Sequence, residues 1–144
     1  MFSRCSAFAC PPLSARNAGC LSCNPGAGAL DTTFSGDGIV TLDFNGGFDE
    51  ARSVVVQPDG KIVVAGYADN GSNFDFALTR YNPNGTLDTS FGSGGRVITP
   101  IGSNADSAFS VTLQPDGKVV VAGFAFNGSN SDFALTRYSS GRHA

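Results

Sequence analysis

The chain repeats itself at a constant offset of 57 residues, and this repetition constrains its fold more than any other feature. The recurring segments are Leu30–Thr32 with Leu87–Thr89, Gln57–Lys61 with Gln114–Lys118, and Phe76–Tyr81 with Phe133–Tyr138. Since the offset is the same for each pair, no insertion separates the two copies. The sequence therefore predicts two consecutive units of one supersecondary structure, which stack to bury a shared core.

The repeat divides the chain into four parts. Residues 1–29 match nothing later, residues 30–86 form repeat unit 1, residues 87–138 form repeat unit 2, and residues 139–144 form a tail. The tail does not contain the Asn-Pro-Asn-Gly sequence that follows Tyr81 at the end of the first unit. This departure predicts a truncated array or a gene fragment.

Each unit centres on an apolar run, a turn and a second apolar run, at Ala51–Ala68 and at the same place in unit 2. In the turn Gln57–Lys61, Pro58 fixes its own φ, Gly60 accepts a positive φ, and Asp59 can hydrogen-bond the nearby backbone. The flanking runs are rich in β-branched residues and have the length of strands. The pattern predicts a β-hairpin in each unit.

Two further strands are predicted in each unit, at Gly38–Phe44 with its copy Gly95–Ile101, and at Asp75–Tyr81 with its copy Asp132–Tyr138. No segment has a convincing helical period. Ile62–Ala65 is apolar on both faces of its strand, so the strand needs cover on both sides. We therefore predict an all-β fold of two tandem four-stranded antiparallel meanders that resemble β-propeller blades in an incomplete ring. In that fold, the outermost strand of a blade comes from the chain that follows it.

Two blades cannot close a propeller, which takes about four to eight. One open face of four short strands measures about 400 Å². Two such faces expose about 800 Å², more than a typical monomer leaves uncovered. We therefore expect self-association through the open blade faces. The strand predicted at Gly38–Phe44 has no preceding blade in this chain and can complete the last blade of a neighbouring copy.

The combined motifs resemble the delta-60 repeat, which occurs in tandem in large, mostly bacterial and often exported proteins. The resemblance covers about residues 30–138. It rests on LDTSFG at 87–92, QPDGK followed by VVAG, and FALTRYNPNGTLD at 76–88. It implies a propeller-like β fold and brings no established catalytic residues. Family arrays have many units, whereas this chain has two.

Composition limits the partners of the protein. A formal net charge of −3 and a pI near 4.8 leave no basic field for a polyanion, so we expect neither a nucleic-acid partner nor an anionic membrane surface. No run of about 18 apolar residues occurs, and no membrane span is expected. All four Cys residues precede residue 24. The repeat units are therefore predicted to lack disulfides and thiolate metal sites.

Residues 1–29 allow three interpretations. Cys20 and Cys23 have the spacing of half a structural zinc site, but Cys5 and Cys10 are spaced differently and no His lies nearby. Arg4 precedes a short apolar stretch and the Ala-Gly-Ala sequence at 27–29 resembles a cleavage site, which favours an export leader and an extracellular or exported protein. The third interpretation is a disordered extension.

No catalytic, cofactor-binding or metal-binding residue is predicted, and no cofactor. The single His, His143, lies in the tail, so the repeat units offer no His-based triad. The repeated carboxylates are Asp31 with Asp88, Asp59 with Asp116, and Asp75 with Asp132. Their recurrence once per unit favours turn and capping roles over an acid pair for catalysis. Arg80 and Arg137 recur within a strand and are predicted to pair with a neighbouring carboxylate, with a phosphate or glycan contact as the alternative.

The loop Asp69–Asp75 has some of the oxygen spacing of a calcium site, but it lacks the order of ligands and the distal Glu of an EF-hand loop. Phe126 replaces Asp69 in unit 2, so we expect an Asn-Gly hairpin loop instead.

Positions that differ between the units carry more functional information than positions that repeat, because repeated residues build the blade and variable loops supply specificity. The largest difference separates Phe44–Glu50 from Ile101–Ser107. Asp69 and Phe74 also differ from their counterparts Phe126 and Ser131. We expect a ligand, if there is one, at these loops.

Two functional hypotheses follow. The first is a non-catalytic β-repeat module for binding or structural display, part of a larger propeller-like array, that contacts protein or carbohydrate. The second is a fragment of a propeller-fold hydrolase or lyase. The first is favoured because the repeat units contain so few groups for acid–base chemistry.

Overall fold

A computed structural model describes residues 27–141. The four Cys residues and His143 lie outside that range, and the zinc, leader and disorder hypotheses for residues 1–29 concern a segment of which only residues 27–29 are described. The described chain has seven strands and no helix: β1 (Asp49–Val56), β2 (Ile62–Asp69), β3 (Phe74–Tyr81), β4 (Arg96–Thr99), β5 (Asp106–Leu113), β6 (Val119–Phe126) and β7 (Ser131–Tyr138).

The strands form two open antiparallel sheets. The first sheet has the order β1-β2-β3-β4 and the second has the order β5-β6-β7. The predicted all-β fold of two tandem meanders is confirmed, although the second sheet has three strands within the described residues. In keeping with the all-β fold, residues 27–141 contain no helix of the length and apolarity that a membrane span requires.

The hairpin turns have the predicted chemistry. Gly60 and Gly117 have φ values of 81° and 82°, which side chains with a Cβ rarely adopt. The N–H of Gln57 donates to the Lys61 carbonyl at 2.7 Å, and the Gln57 carbonyl accepts a hydrogen bond from Gly60 at 2.8 Å. The Asp59 carboxylate accepts a hydrogen bond from the Lys61 N–H at 3.2 Å. These bonds close the turn and align β1 with β2.

A β-bulge interrupts the β1–β2 pair of the first sheet and the β5–β6 pair of the second. Arg52 in β1 and Phe109 in β5 are the extra residues, and neither lies opposite a partner in the adjacent strand. Glycine allows the bulge. A Cβ on Gly66 would lie 1.8 Å from a carbonyl oxygen of β1, and one on Gly123 would lie 2.0 Å from a carbonyl oxygen of β5. The Ala-Gly pair in both hairpins is therefore a backbone requirement, and the bulge turns the side chains of Arg52 and Phe109 out of the regular alternation.

The fourth strand of the first sheet comes from repeat unit 2, as the blade arrangement predicts. β4 pairs with β3, with Leu78 opposite Val97 and Ala77 opposite Ile98. The corresponding prediction for unit 1 is wrong: Gly38–Phe44 is not a strand in the described structure. A strand needs a hydrogen-bonded neighbour. By the repeat offset, the neighbour of this segment would be the sheet of a unit before unit 1, and residues 27–141 contain no such sheet.

The hydrophobic core lies between the two sheets. Its fully buried residues include Val63, Phe76 and Leu78 from the first sheet and Val119 and Val121 from the second. The Phe76 ring lies over Gly123, with Cζ only 2.8 Å from the place that a Cβ would take. Strands β1 and β5, one from each sheet, also touch, because the N–H of Val111 donates to Ser53 Oγ at 3.2 Å. The sheets therefore pack face to face, like neighbouring blades.

A buried ion cluster fixes the chain between β3 and β4. Arg80 Nε and Lys61 Nζ lie 2.7 Å and 2.6 Å from the same oxygen of Asp88. Arg80 is 3% exposed and Asp88 is 5% exposed. The Arg80 guanidinium also lies 4.6 Å from the centre of the Phe91 ring, a cation–π distance. The predicted pairing with a carboxylate is confirmed for Arg80, whereas Arg137 has no ion pair within 4 Å among residues 27–141.

The ion cluster changes the titration of Asp88. Burial raises the pKa of its carboxyl, but hydrogen bonds from Lys61 and Ser90 and the charge of Arg80 outweigh burial, so the pKa lies well below its ordinary value. Asp31 holds the same position in unit 1 and is exposed. Its pKa is lowered by hydrogen bonds from Thr33 alone.

The two repeats place identical residues in opposite environments. Phe76 and Leu78 are fully buried, whereas their counterparts Phe133 and Leu135 are fully exposed and 73% exposed. The sequence is the same, and only the presence of a following sheet differs. Among the described residues, nothing covers this apolar part of the outer face of the second sheet.

Truncating these two leucines should have unequal effects on stability. We expect Leu78→Ala to lower the free energy of unfolding by about 2–5 kcal/mol, because it removes fully buried methyl groups. Leu135→Ala should cost much less in the monomer, since its side chain is already in water. Urea denaturation of dilute protein measures both values, and equal losses would contradict the assignment of Leu78 to the core.

Asp88 should make stability depend on acid. A carboxyl whose folded pKa is lowered stabilises the fold above its unfolded pKa, and that contribution is lost as the pH falls. Asp88→Asn should cost about 3–5 kcal/mol near neutral pH, because it leaves a buried Arg80 without its anion. It should also flatten the loss of stability that the unmodified protein shows below about pH 5.

The matched control for this change is Asp31→Asn, which alters the exposed copy of the same motif. It should lower the unfolding free energy of the dilute monomer much less than Asp88→Asn near neutral pH, because Asp31 is exposed and hydrogen-bonds only its own turn. Urea denaturation at a series of pH values measures both variants. An acid dependence in Asp88→Asn as steep as in the unmodified protein would contradict the role of Asp88.

Candidate ligand-binding cleft between the two sheets

The repeated carboxylates organise turns. Asp31 accepts hydrogen bonds from the backbone and the hydroxyl of Thr33 at 2.9 and 2.7 Å. Asp75 and its copy Asp132 each accept a hydrogen bond from the first Asn of the preceding loop, at 2.7 and 2.8 Å. These contacts are the turn roles that the sequence favours.

Several side-chain oxygens of the loop considered for calcium accept hydrogen bonds within the loop, whereas Asp75 Oδ1 is buried and has no hydrogen-bond partner within the described structure. Asp69 Oδ1 accepts a hydrogen bond from the Gly71 N–H at 2.8 Å, and Asn70 Oδ1 accepts hydrogen bonds from Ser72 and Asn73 at 2.8 and 3.1 Å. Among residues 27–141, no three His, Cys, Asp or Glu side chains lie close enough together to hold a metal ion.

The structure brings the variable positions of unit 1 to one place. The N–H of Asp69 donates to the Phe48 carbonyl at 3.1 Å, and the Asn45 side-chain amide donates to the Asp69 carbonyl at 3.0 Å. The ring centres of Phe48 and Phe74 lie 6.3 Å apart. The divergent loop before β1 and the divergent end of the β2–β3 hairpin therefore form one surface.

Three aromatic rings form the centre of this surface. Tyr67 of β2 lies 5.1 Å from Phe74, edge to face, and 6.4 Å from Phe48, stacked. Such geometries add stabilisation beyond the burial of the rings. Phe48 remains 61% exposed. In unit 2, Ala105 and Ser131 stand at the positions of Phe48 and Phe74, so the cluster belongs to unit 1 and does not recur in the described part of unit 2.

Arg52 joins this cluster to the second sheet. The bulge places its guanidinium 5.5 Å from the centre of the Tyr67 ring and 5.7 Å from that of Phe109 in β5. Arg52 Nε lies 2.9 Å from Glu50, and the Tyr67 hydroxyl donates to the other oxygen of Glu50 at 2.5 Å. The Arg52 and Glu50 side chains are 41% and 38% exposed. The site thus presents both charges beside aromatic surfaces and in contact with water.

A cleft of about 220 Å³ opens beside these groups, between the sheets. Its lining residues are Arg52, Tyr67, Phe74, Ala105, Asp106, Ser107, Phe109 and Phe124. The second divergent loop, Ile101–Ser107, therefore lines this cleft together with Phe74 of the divergent β2–β3 hairpin. Asp106 is fully buried and fixes this loop, because its carboxylate accepts hydrogen bonds from the N–H groups of Ile101 and Gly102 at 2.7 and 2.9 Å.

The sequence interpretation missed part of this site. Arg52 and Tyr67 were not singled out, nor were Phe109 and Phe124 in unit 2. A usable signal was present, since Arg52 stands where unit 2 has Phe109 and Tyr67 stands where it has Phe124. These differences lie within strands, where an outward bulge cannot be recognised from alternation alone.

The two packed sheets define a β-propeller-like repeat protein. Residues 57–91 and 114–141 match a family model described as a domain of unknown function (DUF5122) beta-propeller. Both matched segments begin at the same point of the repeat, which agrees with the tandem blades of the structure. No match was found among curated proteins. The delta-60 resemblance and the fragment hypothesis stay predictions.

Proposed function

We propose that the protein is a non-catalytic binding module and that carbohydrate binds at the cleft between its sheets. The observation that carries this proposal is the exposed aromatic cluster of Phe48, Tyr67 and Phe74 beside the ion pair of Arg52 and Glu50. The cluster occurs once, at positions where the repeats differ. A structural role would favour its presence in both units.

The chemistry of the cleft suits a sugar ring. The apolar face of a pyranose can pack on an aromatic ring, and its hydroxyl groups can hydrogen-bond a carboxylate and a guanidinium. Phe48 offers such a ring face to solvent, and Arg52 and Glu50 offer donors and acceptors. Sites of this kind combine apolar walls with a few polar groups that fix orientation. An exported location, at which glycans are available, stays a prediction.

A second candidate function is a propeller-borne hydrolase or lyase. Glu50 favours it, because this carboxylate is not repeated in unit 2 and contacts two residues that line the cleft, Tyr67 and Arg52. Catalysis by Glu50 would need a second acid–base group at a suitable distance. The binding module remains the better-supported function.

Removal of the exposed ring should weaken glycan binding. A glycan array identifies a ligand for the unmodified protein, and titration then gives its dissociation constant. Phe48→Ala should weaken that binding about tenfold, the effect of losing one contact of about 1.4 kcal/mol. The matched control is Phe133→Ala, which removes a fully exposed ring on the outer face of the second sheet and should leave the dissociation constant unchanged.

The same titration separates the two candidate functions. For a binding module, Glu50→Gln weakens binding and no glycan is cleaved by the unmodified protein. Cleavage of a bound glycan that disappears in Glu50→Gln would establish the enzyme instead. The carbohydrate proposal would be contradicted by an array without any bound glycan, or by equal losses in Phe48→Ala and Phe133→Ala.

A further inference from the structure

We propose that the chain binds a second copy of itself head to tail, through two surfaces that repeat the contact between its own sheets. The front surface is the outer face of the first sheet together with residues 31–44, which lie over it. The back surface is the outer face of the second sheet together with the edge of β7 that pairs with no strand among the described residues. In the complex, residues 39–42 of one copy form the fourth strand beside β7 of the other. This inference does not depend on the proposed function.

The internal interface shows how the two surfaces fit. Within one chain, the Phe76 ring lies over Gly123 of the next sheet. The equivalent pair between copies is Phe133 on the back surface and Gly66 on the front surface. Phe133 is fully exposed, and Gly66 lines a largely apolar cavity of about 330 Å³. One surface therefore carries the ring and the other carries the space for it.

The cavity lies where the neighbouring copy would insert. Its walls come from both parts of the front surface: Phe34, Val40, Leu42 and Phe44 from the segment, and Ile62, Val64, Ala77, Thr79 and Tyr81 among the residues of the sheet. At the equivalent place in the second sheet, the space is filled by the first sheet. We expect the outer-face side chains of the second sheet of another copy to fill this apolar space, because they are equivalent to those that fill the space between the two sheets of one chain.

The hydrogen bonds at both ends of residues 38–44 already match those that flank β4 in unit 2. The N–H of Gly38 donates to the Phe34 carbonyl at 2.7 Å, and the equivalent bond in unit 2, beside β4, measures 2.8 Å. The N–H of Phe44 donates to Asp49 at 2.8 Å, and its equivalent in unit 2 measures 2.7 Å. The segment in unit 2 pairs with β3, whereas the segment in unit 1 has no sheet partner among the described residues. The front segment is thus preorganised to pair with an open edge, which reduces the ordering cost of binding.

The edge of β7 carries a buried polar atom that this pairing would satisfy. Thr79 Oγ1 of β3 donates to the carbonyl of Gly95, next to β4, at 3.1 Å. The same atom of Thr136 in β7 is buried and has no hydrogen-bond partner within the described structure. Gly38 of a second copy supplies the equivalent carbonyl. A buried hydroxyl without a partner is costly, so the edge favours an added strand.

The charges of the two surfaces are complementary. Arg137 and Lys118 on the second sheet repeat Arg80 and Lys61 of the buried ion cluster. Within residues 27–141 no carboxylate lies within 4 Å of the Arg137 guanidinium, and Lys118 pairs with Asp116 of its own exposed turn. Asp31 on the front segment holds the position of Asp88. Binding of a second copy would place Asp31 between Arg137 and Lys118 and rebuild the cluster.

This contact has a defined polarity. Because the front surface of one copy binds the back surface of another, each copy retains one open surface after the first contact. Further copies can then add until a ring closes. Rings of two, three or four copies contain four, six or eight blades, which is the range of known propellers. Each contact covers about 400 Å² on either copy, about half of one side of a standard interface, and a closed ring covers both faces of each copy, about 800 Å² in all.

The test exchanges the charges of the predicted pair in the full chain and measures mass by sedimentation and light scattering, from micromolar to millimolar concentration. The unmodified protein should form discrete species of two to four copies. Asp31→Arg and Arg137→Glu should each raise the concentration needed for association at least tenfold, because each replaces attraction by repulsion. Both residues are exposed in the monomer, so the fold should persist, which circular dichroism checks.

Mixing the two variants gives the decisive result. In an equimolar mixture, the arginine introduced at position 31 of one variant meets the glutamate introduced at position 137 of the other. At the next contact, Asp31 of the Arg137→Glu variant meets Arg137 of the Asp31→Arg variant, as in the unmodified protein. The two variants must therefore alternate, and association should return in species with an even number of copies. The matched control is Asp37→Arg in the same segment, whose unit 2 counterpart is the uncharged Gly94. It should associate like the unmodified protein.

Four outcomes would overturn the proposal. The first is an unmodified protein that stays monomeric at millimolar concentration, as expected if these surfaces fit only further repeats of a longer chain. The second and third are single variants that associate normally and a mixture of variants that does not recover association. The fourth is a loss of association in Asp37→Arg equal to that in Asp31→Arg. Leu135→Asp gives an independent check on the apolar part of the contact. It should abolish association while leaving the monomer folded.

Discussion

Each sheet of this protein is apolar on both faces and therefore needs a neighbour on both sides. The first sheet obtains one neighbour from the second, and that contact buries Phe76 and Leu78 completely. The second sheet presents the same residues, Phe133 and Leu135, without cover. Burial here depends on the position of a unit in the array, since the two units have the same sequence at these positions. The fold, the buried ion cluster and the open surfaces all follow from this requirement.

The sequence predicts much of the architecture because its signals are local and repeated. The Gln57–Lys61 turn defines a hairpin through residues whose backbone preferences are specific, and the structure has that hairpin in both units. The constant offset predicts two equivalent sheets and the origin of the fourth strand. Pairing of Arg80 with a carboxylate follows from its recurrence within an apolar strand. Each of these features is encoded within a few residues.

Features that depend on distant contacts could not be predicted in the same way. Gly38–Phe44 resembles a strand, but a strand exists only when another strand pairs with it. The bulge at Arg52 results from the approach of a carbonyl to Gly66, and strand alternation alone gives no sign of it. The cleft was therefore located only through its loops. The side chains that join the two sheets across it became visible in the structure.

The bulge also has a consequence for any assembly of several copies. Arg52 lies at the junction between the two sheets of one chain, and Phe109 holds its place at the junction with a following copy. The repeat offset then places Phe109 and Phe124 of one copy opposite Arg52 and Tyr67 of the next. A ring would carry two clefts of different composition per chain, all facing the same rim, so a branched or repetitive glycan could be bound with an avidity far above that of a single cleft.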